Sequence, residues 1–302
     1  VVKVRAGFGL GTSTALNAAG LDTVVDTLEQ LGFDSLWFSE RIGANVPDPL
    51  VAMAYAAGRT TAIKFGMSVM VLPGRNPIVL AKQLATLDQL SRGRLLPAFG
   101  LGVADPHEQQ AFGVQRNERA RWFDEALAVL RGAWAEGTLT HHGERFDYDE
   151  LRVLPKPTRK RLEVWLGGIA PSELRRVGRL ADGWLPSFVT PDDAARGREV
   201  IERELAIHGR TIEDDHYGVL IPYTLGEVPE AMLTGLARRR PDLDDPSSII
   251  PGSLEALAAL IDAFIAVGTS KFVVVPLVES STPDGWIAHL TALAAVTPGT
   301  GS

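Results

Sequence analysis

Cysteine is absent from all 302 residues, and that one absence removes disulfide frameworks, thiolate nucleophiles and cysteine-held zinc or iron–sulfur centres together. Positive charge is in short supply: 30 Lys and Arg stand against 37 Asp and Glu, a net charge of −7. Nucleic acid is therefore not expected as the principal partner. Long apolar runs are also missing. The longest, such as residues 272–278, are strand-sized and interrupted by Pro276, so no membrane span is expected. The chain opens on apolar residues without a basic-then-apolar leader, so no secretion signal is read and the cytoplasm is the expected location.

What is present reads as an ordinary globular chain, 45% hydrophobic, of a length that one α/β barrel fills. Strand-like segments alternate with helical ones along it. Strands are expected at residues 2–8, 35–39, 63–72, 94–99, 162–166, 183–188, 217–225 and 271–278. Helices are expected between them at residues 21–31, 49–60, 76–90, 117–136, 172–181, 191–208 and from 253, with a last one at 284–294. Eight such repeats predict a closed (β/α)8 TIM barrel with loop insertions, one domain over residues 1–302. An open doubly wound sheet is the alternative, but residues 8–13 carry only the first half of a GxGxxG turn. Two insertions stand out. Residues 137–161 read as irregular, with the pair His141-His142 and a basic run at 155–161 that is expected to be a solvated turn away from the site. Residues 226–252, Pro-rich and charged, are either a lid over the C-terminal face or a solvated excursion. The tail from Thr297 is expected to fray.

Residues 76–102, NPIVLAKQLATLDQLSRGRLLPAFGLG, combine a helix, a turn and a strand in one unit. Asn76 and Pro77 suit the N-cap and first helical position. Ile78, Leu80, Ala81, Leu84, Leu87 and Leu90 recur at helical spacing, and Gly93 suits the left-handed position past the end. Gly100-Leu101-Gly102 then leaves bare backbone at a strand's C-terminal end, where a barrel admits its ligand. The pattern AxxxATLDxLSxGRxxxxxGxG resembles the luciferase-like flavin and deazaflavin oxidoreductases, and the likeness runs on through Ala181-Asp182-Gly183-Trp184.

The strand ends carry few strong chemical groups. Strand one ends in Gly7-Phe8-Gly9-Leu10-Gly11, without histidine; of six histidines only His107 falls just beyond a strand end, so a metal cluster is not expected. Lys64 and Lys271 begin their strands, at the wrong end for a Schiff base. Such a barrel fits an enzyme that relies on a bound organic cofactor.

Glu40 and Arg41 end strand two. They read either as catalytic polar groups, with Glu40 holding Arg41, or as an ion pair bracing the rim. The family often has an acidic residue followed by His or Arg here, but a guanidinium cannot act as a neutral base. Ser68 and Val69, with Gly66, match the GxSV strand of the deazaflavin branch, and the resemblance implies a cis Ser68–Val69 peptide behind the cofactor ring with Met70 beside it. His107 and Glu108 match an Asn-Glu pair that relatives place near the cofactor, so His107 is the expected proton donor; a surface loop histidine is the alternative. Gly167, Gly168, Ile169 and Ala170 precede a helix start, where free N–H groups suit an anion, and the resemblance implies a cofactor phosphate there. Trp184 would pack against that loop. Together with Arg75-Asn76-Pro77 these residues resemble the F420-dependent branch, which implies hydride transfer between coenzyme F420 and a small organic substrate. An FMN-dependent monooxygenase and a non-catalytic flavin-binding barrel are the alternatives, with a homodimer left open.

Overall fold

The computed structural model describes residues 2–11, 17–278 and 280–300. Its first part alternates β1 (Arg5–Leu10), α1 (Ala18–Gln30), β2 (Ser35–Phe38), α2 (Pro49–Arg59), β3 (Lys64–Met67), β4 (Met70–Val71), α3 (Pro77–Leu90), β5 (Leu95–Leu96) and β6 (Ala98–Gly100). The middle holds α4 (Pro106–Phe112), α5 (Arg119–Trp134), β7 (Leu139–His142), β8 (Asp147–Leu151), β9 (Trp165–Leu166), α6 (Pro171–Leu180), β10 (Gly183–Trp184) and α7 (Pro191–Ile207). The last part holds β11 (Gly218–Tyr223), α8 (Glu230–Arg239), α9 (Leu254–Ala266), β12 (Lys271–Pro276) and α10 (Pro283–Ala294).

The strand pairings close a TIM barrel. β1 lies between β12 and β2, β2 pairs with β3, and β3 with β5, all parallel. β4 pairs with β6, β6 with β9, β9 with β10, and β11 with β12, again parallel. Parallel bridges Trp184–Tyr217 and Ser187–Leu220 join the β10 side to β11. Two expected strands are each split. β3 and β4 flank a cis peptide between Ser68 and Val69, and β5 and β6 flank Pro97, which has no N–H to give to a ladder. Each pair fills one position in the ring, so eight parallel positions close it among the described residues.

Several local expectations need correction. Residues 137–161 are not irregular throughout: β7 and β8 form an antiparallel hairpin there. The basic run lies away from the cavity, as expected, but is solvated only in part: Lys160 and Arg161 are exposed, while Lys156 Nζ donates to Ala133 O (2.8 Å) and Arg159 to Leu95 O (2.7 Å), bracing the N-terminal side of the barrel. The loop before residue 108 passes into a short helix, α4. The tail is tied down as far as Thr300, whose hydroxyl donates to Ala294 O (2.7 Å), while 301–302 lie outside the described residues, as do Thr12 and Ser13 of the glycine turn.

α3 is capped and buried as its residue pattern predicts. Asn76 Oδ1 accepts from the N–H groups of Ile78 (3.0 Å) and Val79 (3.1 Å), and Leu80, Ala81, Leu84 and Leu87 are buried. Leu90, one turn further, is 72% exposed instead, because the helix ends there and its last turn leaves the core. Alternation along the strands separates two cores. Val273 and Val275 point into the barrel with Trp37, Leu96, Ala98, Trp165 and Leu185, while Phe272 and Val274 face the surrounding helices.

Lys271 closes the N-terminal end of the barrel. Its ammonium pairs with Asp34 and donates to Ser35 Oγ (2.7 Å), which also accepts from Trp37 Nε1 (2.8 Å). Burial pushes Lys271 down to about 8 despite the attraction of Asp34. Burial would raise Asp34, but Lys271 and Lys64 hold it down at about 2. Both lysines thus sit at the end opposite the one where a barrel does its chemistry, as their positions at strand starts predict.

Candidate active site

A cavity of about 980 Å³ opens at the C-terminal ends of the strands. Gly11 beyond β1, Ser39–Arg41 beyond β2, the Ser68–Val69 break, the backbone after β6 and the loop after β9 all contribute to its wall. Of the expected site residues, Glu40, Arg41, Ser68, Val69, Gly167, Gly168, Ile169 and Ala170 line it, whereas Met70 and His107 do not.

The two exclusions have simple geometric causes. Side chains alternate across a strand, so Val69 and Val71 face the cavity and Met70 is buried among the core residues on the other side. His107 and Glu108 are neighbours on α4, and adjacent residues on a helix point in different directions. Asp105 caps that helix, accepting from the His107 (2.9 Å) and Glu108 (3.1 Å) N–H groups. Glu108 then turns inward and accepts from Ile42 N (3.0 Å), while the His107 side chain is 92% exposed. The structure therefore corrects the placement of His107: it stands outside the cavity.

Glu40 does not hold Arg41. Its carboxylate pairs with Arg75 and accepts from Val71 N (2.8 Å), and Arg75 Nε donates to Val71 O (2.8 Å). This clamp ties the end of β2 to the end of β4. Burial is the largest influence on Glu40 and raises its pKa, against the lowering pull of Arg75. Arg41 is left with its Nη1 buried and without a hydrogen-bond partner among the described residues, and Ser68 Oγ is in the same condition. Among the buried side-chain atoms left without a partner, these two belong to residues that line the cavity, where a bound ligand can reach them.

The loop after β6 is held from outside the barrel. Arg119, at the start of α5, donates from one nitrogen to the carbonyls of Leu101 (3.2 Å), Gly102 (2.9 Å) and Val103 (2.8 Å). Burial lowers its pKa, yet a guanidinium remains charged at any ordinary pH. Val69 lies between two bare backbones: a Cβ on Gly100 would come within 2.5 Å of Val69 Cγ2, and one on Gly167 within 4.0 Å of Cγ1. Gly168 has φ +92°, a left-handed conformation that favours glycine, and its carbonyl accepts from Trp184 Nε1 (2.9 Å). Trp184 thus packs against that loop as expected.

Several wall residues escaped the sequence reading. Glu173 and Arg176 of α6, Phe188 after β10, and Met232 and Arg239 of α8 all line the cavity. The segment 226–252 is not structureless: it carries α8 and a 3₁₀ turn at Pro246–Ile249, and its base is closed by Gly226 N to Gly252 O (2.9 Å). Buried Arg240 pins it to the barrel through Phe188 O (2.6 Å) and Asp193 (2.8 Å). The length and charge of the segment signalled a functional excursion, but no local motif showed which of its side chains turn inward. Among the described residues no cluster of three or more His, Asp or Glu could hold a metal ion, and no helix is long and apolar enough to cross a membrane.

Similarity to known proteins follows the same outline. Phthiodiolone/phenolphthiodiolone dimycocerosates ketoreductase of Mycobacterium tuberculosis (strain H37Rv) is 29% identical over 208 residues, covering 60% of this chain and 54% of that protein. The chain therefore spans about half the length of the curated relatives it matches. An F420-dependent secondary alcohol dehydrogenase, solved with an F420-acetone adduct, superposes with a TM-score of 0.79 at 20% identity, covering 98% of this chain and 99% of that one. The oxygenating constituent of 3,6-diketocamphane monooxygenase from Pseudomonas putida, solved with FMN, gives 0.80 at 19% identity over 99% and 98% of the two chains. At such identities these two structures speak for the fold. The model of the luciferase-like monooxygenase family matches residues 3–244, most of the barrel and every wall of the cavity up to α8, and the chain belongs to that family.

Proposed function

We propose that this chain is an oxidoreductase that binds coenzyme F420 across the C-terminal face of its barrel and exchanges hydride with a small organic alcohol or carbonyl compound. One observation carries the reading: Val69, flanked by the bare backbones of Gly100 and Gly167, makes a wall against which a planar ring can lie, with the unpartnered Ser68 Oγ beside it. When bound, such a cofactor supplies the hydride chemistry that the side chains lack.

The chain's own groups bind and orient. Residues 167–170 would meet the cofactor phosphate where α6 begins. Arg41, a permanent cation, would hold a substrate oxygen or the polar edge of the ring, and Glu40 keeps the β2 end in position through Arg75. His107, exposed as it is, has no part in this proposal. The F420-dependent dehydrogenase and the ketoreductase support the reading, and the FMN-bound monooxygenase supports a second one, in which FMN takes the same cavity. Parallel fluorescence titrations with F420 and FMN separate the two. Saturable binding of F420 is expected. Micromolar binding of FMN with no affinity for F420 would overturn the proposal in favour of the second reading.

A further inference from the structure

Glu173 stands where the proposed reading needs an anion. Its Oε2 accepts from the N–H groups of Ile169 (3.1 Å) and Ala170 (3.0 Å), two of the donors a phosphate would use. Pro171 follows and has no N–H, and Glu173 N is already committed to Ala170 O (2.8 Å). The carboxylate also lies against the bare face of Gly168, where a Cβ would approach Oε2 to 2.5 Å. Reaching back from the third position of a helix is an ordinary way to satisfy its first N–H groups. Here, however, the reach is made inside the cavity, and Glu173 is itself part of the cavity wall.

A second feature sits close by. Arg239, carried in by α8, lines the same cavity with its guanidinium 4.9 Å from the centre of the Phe188 ring, and Glu173 is the acid that acts on it electrostatically. Of the other arginines in the lining, Arg176 is committed to Asp124 (2.7 Å). Arg239 is the one that already feels the Glu173 charge, and a displaced carboxylate can turn toward it.

We infer that Glu173 is a specificity-determining residue: it holds the α6 N–H groups in place of a cofactor phosphate and releases them toward Arg239 when the phosphate arrives. The inference rests on the reading of this cavity as the seat of a phosphate-bearing flavin or deazaflavin. Two anions cannot share the same pair of N–H donors without repelling each other at contact distance. A phosphate carried by a ligand whose ring already fills the cavity is presented to these donors at a high effective concentration, so it can win the exchange. A free anion with nothing else to bind cannot. The consequence is selection for ligands that fill the rest of the cavity as well.

Matched ligands with and without phosphate test this directly. FMN is compared with riboflavin, and F420 with its phosphate-free deazaflavin nucleoside, on wild type, Glu173→Ala and Glu173→Gln, with thermal melts confirming that each variant is folded. Glu173→Ala is expected to tighten binding of the phosphate-bearing members about tenfold, the scale of a charge-assisted hydrogen bond, and to leave the phosphate-free members unchanged. Glu173→Gln, which keeps an acceptor but loses the charge, should shift in the same direction by less. Inorganic phosphate should compete with FMN or F420 on Glu173→Ala and not on wild type. Weaker binding in Glu173→Ala, or an equal change in both members of a pair, overturns the inference and leaves Glu173 as a helix cap. If neither F420 nor FMN binds any of the three proteins, the cofactor reading fails and takes the inference with it.

Discussion

Replacing Asp34 with alanine strands a charge inside the barrel. Lys271 is fully buried, and its ammonium is balanced by Asp34. Removing one partner of a buried pair typically costs about 3–5 kcal/mol, a large part of a domain's total stability of about 5–15 kcal/mol. The pH dependence gives the sign. Wild-type Lys271 titrates at about 8, below the value near 10.4 of an unfolded lysine, so the unfolded chain holds more protons and stability rises with pH between those values. Without Asp34 the folded-state value falls further, so the variant begins to recover stability at a lower pH than wild type does. The deficit should therefore be largest near pH 6 and smaller at pH 9, where the amine is neutral in both folded proteins. Urea unfolding at the two pH values measures it. The double variant Asp34→Leu, Lys271→Met should recover much of the loss, because the stranded charge is gone. A deficit below about 1 kcal/mol at pH 6 would refute the reasoning, since it would put the pair among the weak surface contacts. So would a deficit that is the same at both pH values.

Three further outcomes are expected. Gly100→Val places a side chain 2.5 Å from Val69 Cγ2, and should lower cofactor affinity roughly tenfold or more while costing about 1–3 kcal/mol in urea unfolding. Arg41→Ala should reduce turnover about 10- to 100-fold, the worth of a hydrogen bond to a charged group, and His107→Ala should leave it within about twofold; steady-state kinetics on the true substrate would show the reverse order if the exposed histidine were the proton donor. Arg240→Ala removes the pin between α8 and the Phe188 loop, at about 3 kcal/mol for a buried charged contact, and limited proteolysis should then cut within residues 226–252 faster than in wild type.

Much of the fold was legible in the chain because its causes are local. Asn76 caps α3 through groups two and three residues away, and the buried stripe of Leu80, Ala81, Leu84 and Leu87 follows from helical periodicity alone. Strand–helix alternation implies a parallel sheet, and eight repeats imply closure. The absence of cysteine, and a histidine beyond only one strand end, narrow the chemistry from the sequence alone. The wall of the cavity was legible where bare glycines end strands, at Gly100, Gly167 and Gly168.

What depended on direction or on distant partners was decided only by tertiary structure. One helical step separates Glu108, turned inward to Ile42, from His107 in solvent, and no propensity distinguishes the two. One strand step separates Val69 and Val71 at the cavity from Met70 in the core. Glu40 pairs with Arg75, 35 residues away, rather than with adjacent Arg41, because the end of β4 lies beside the end of β2 once the barrel closes. Glu173 and Arg239 line the same cavity from α6 and α8, a relation with no trace in either local sequence. Periodicity fixes which residues share a face of an element. Which faces meet across the mouth of a barrel is set by closure of the whole ring, and the candidate site lies in that junction.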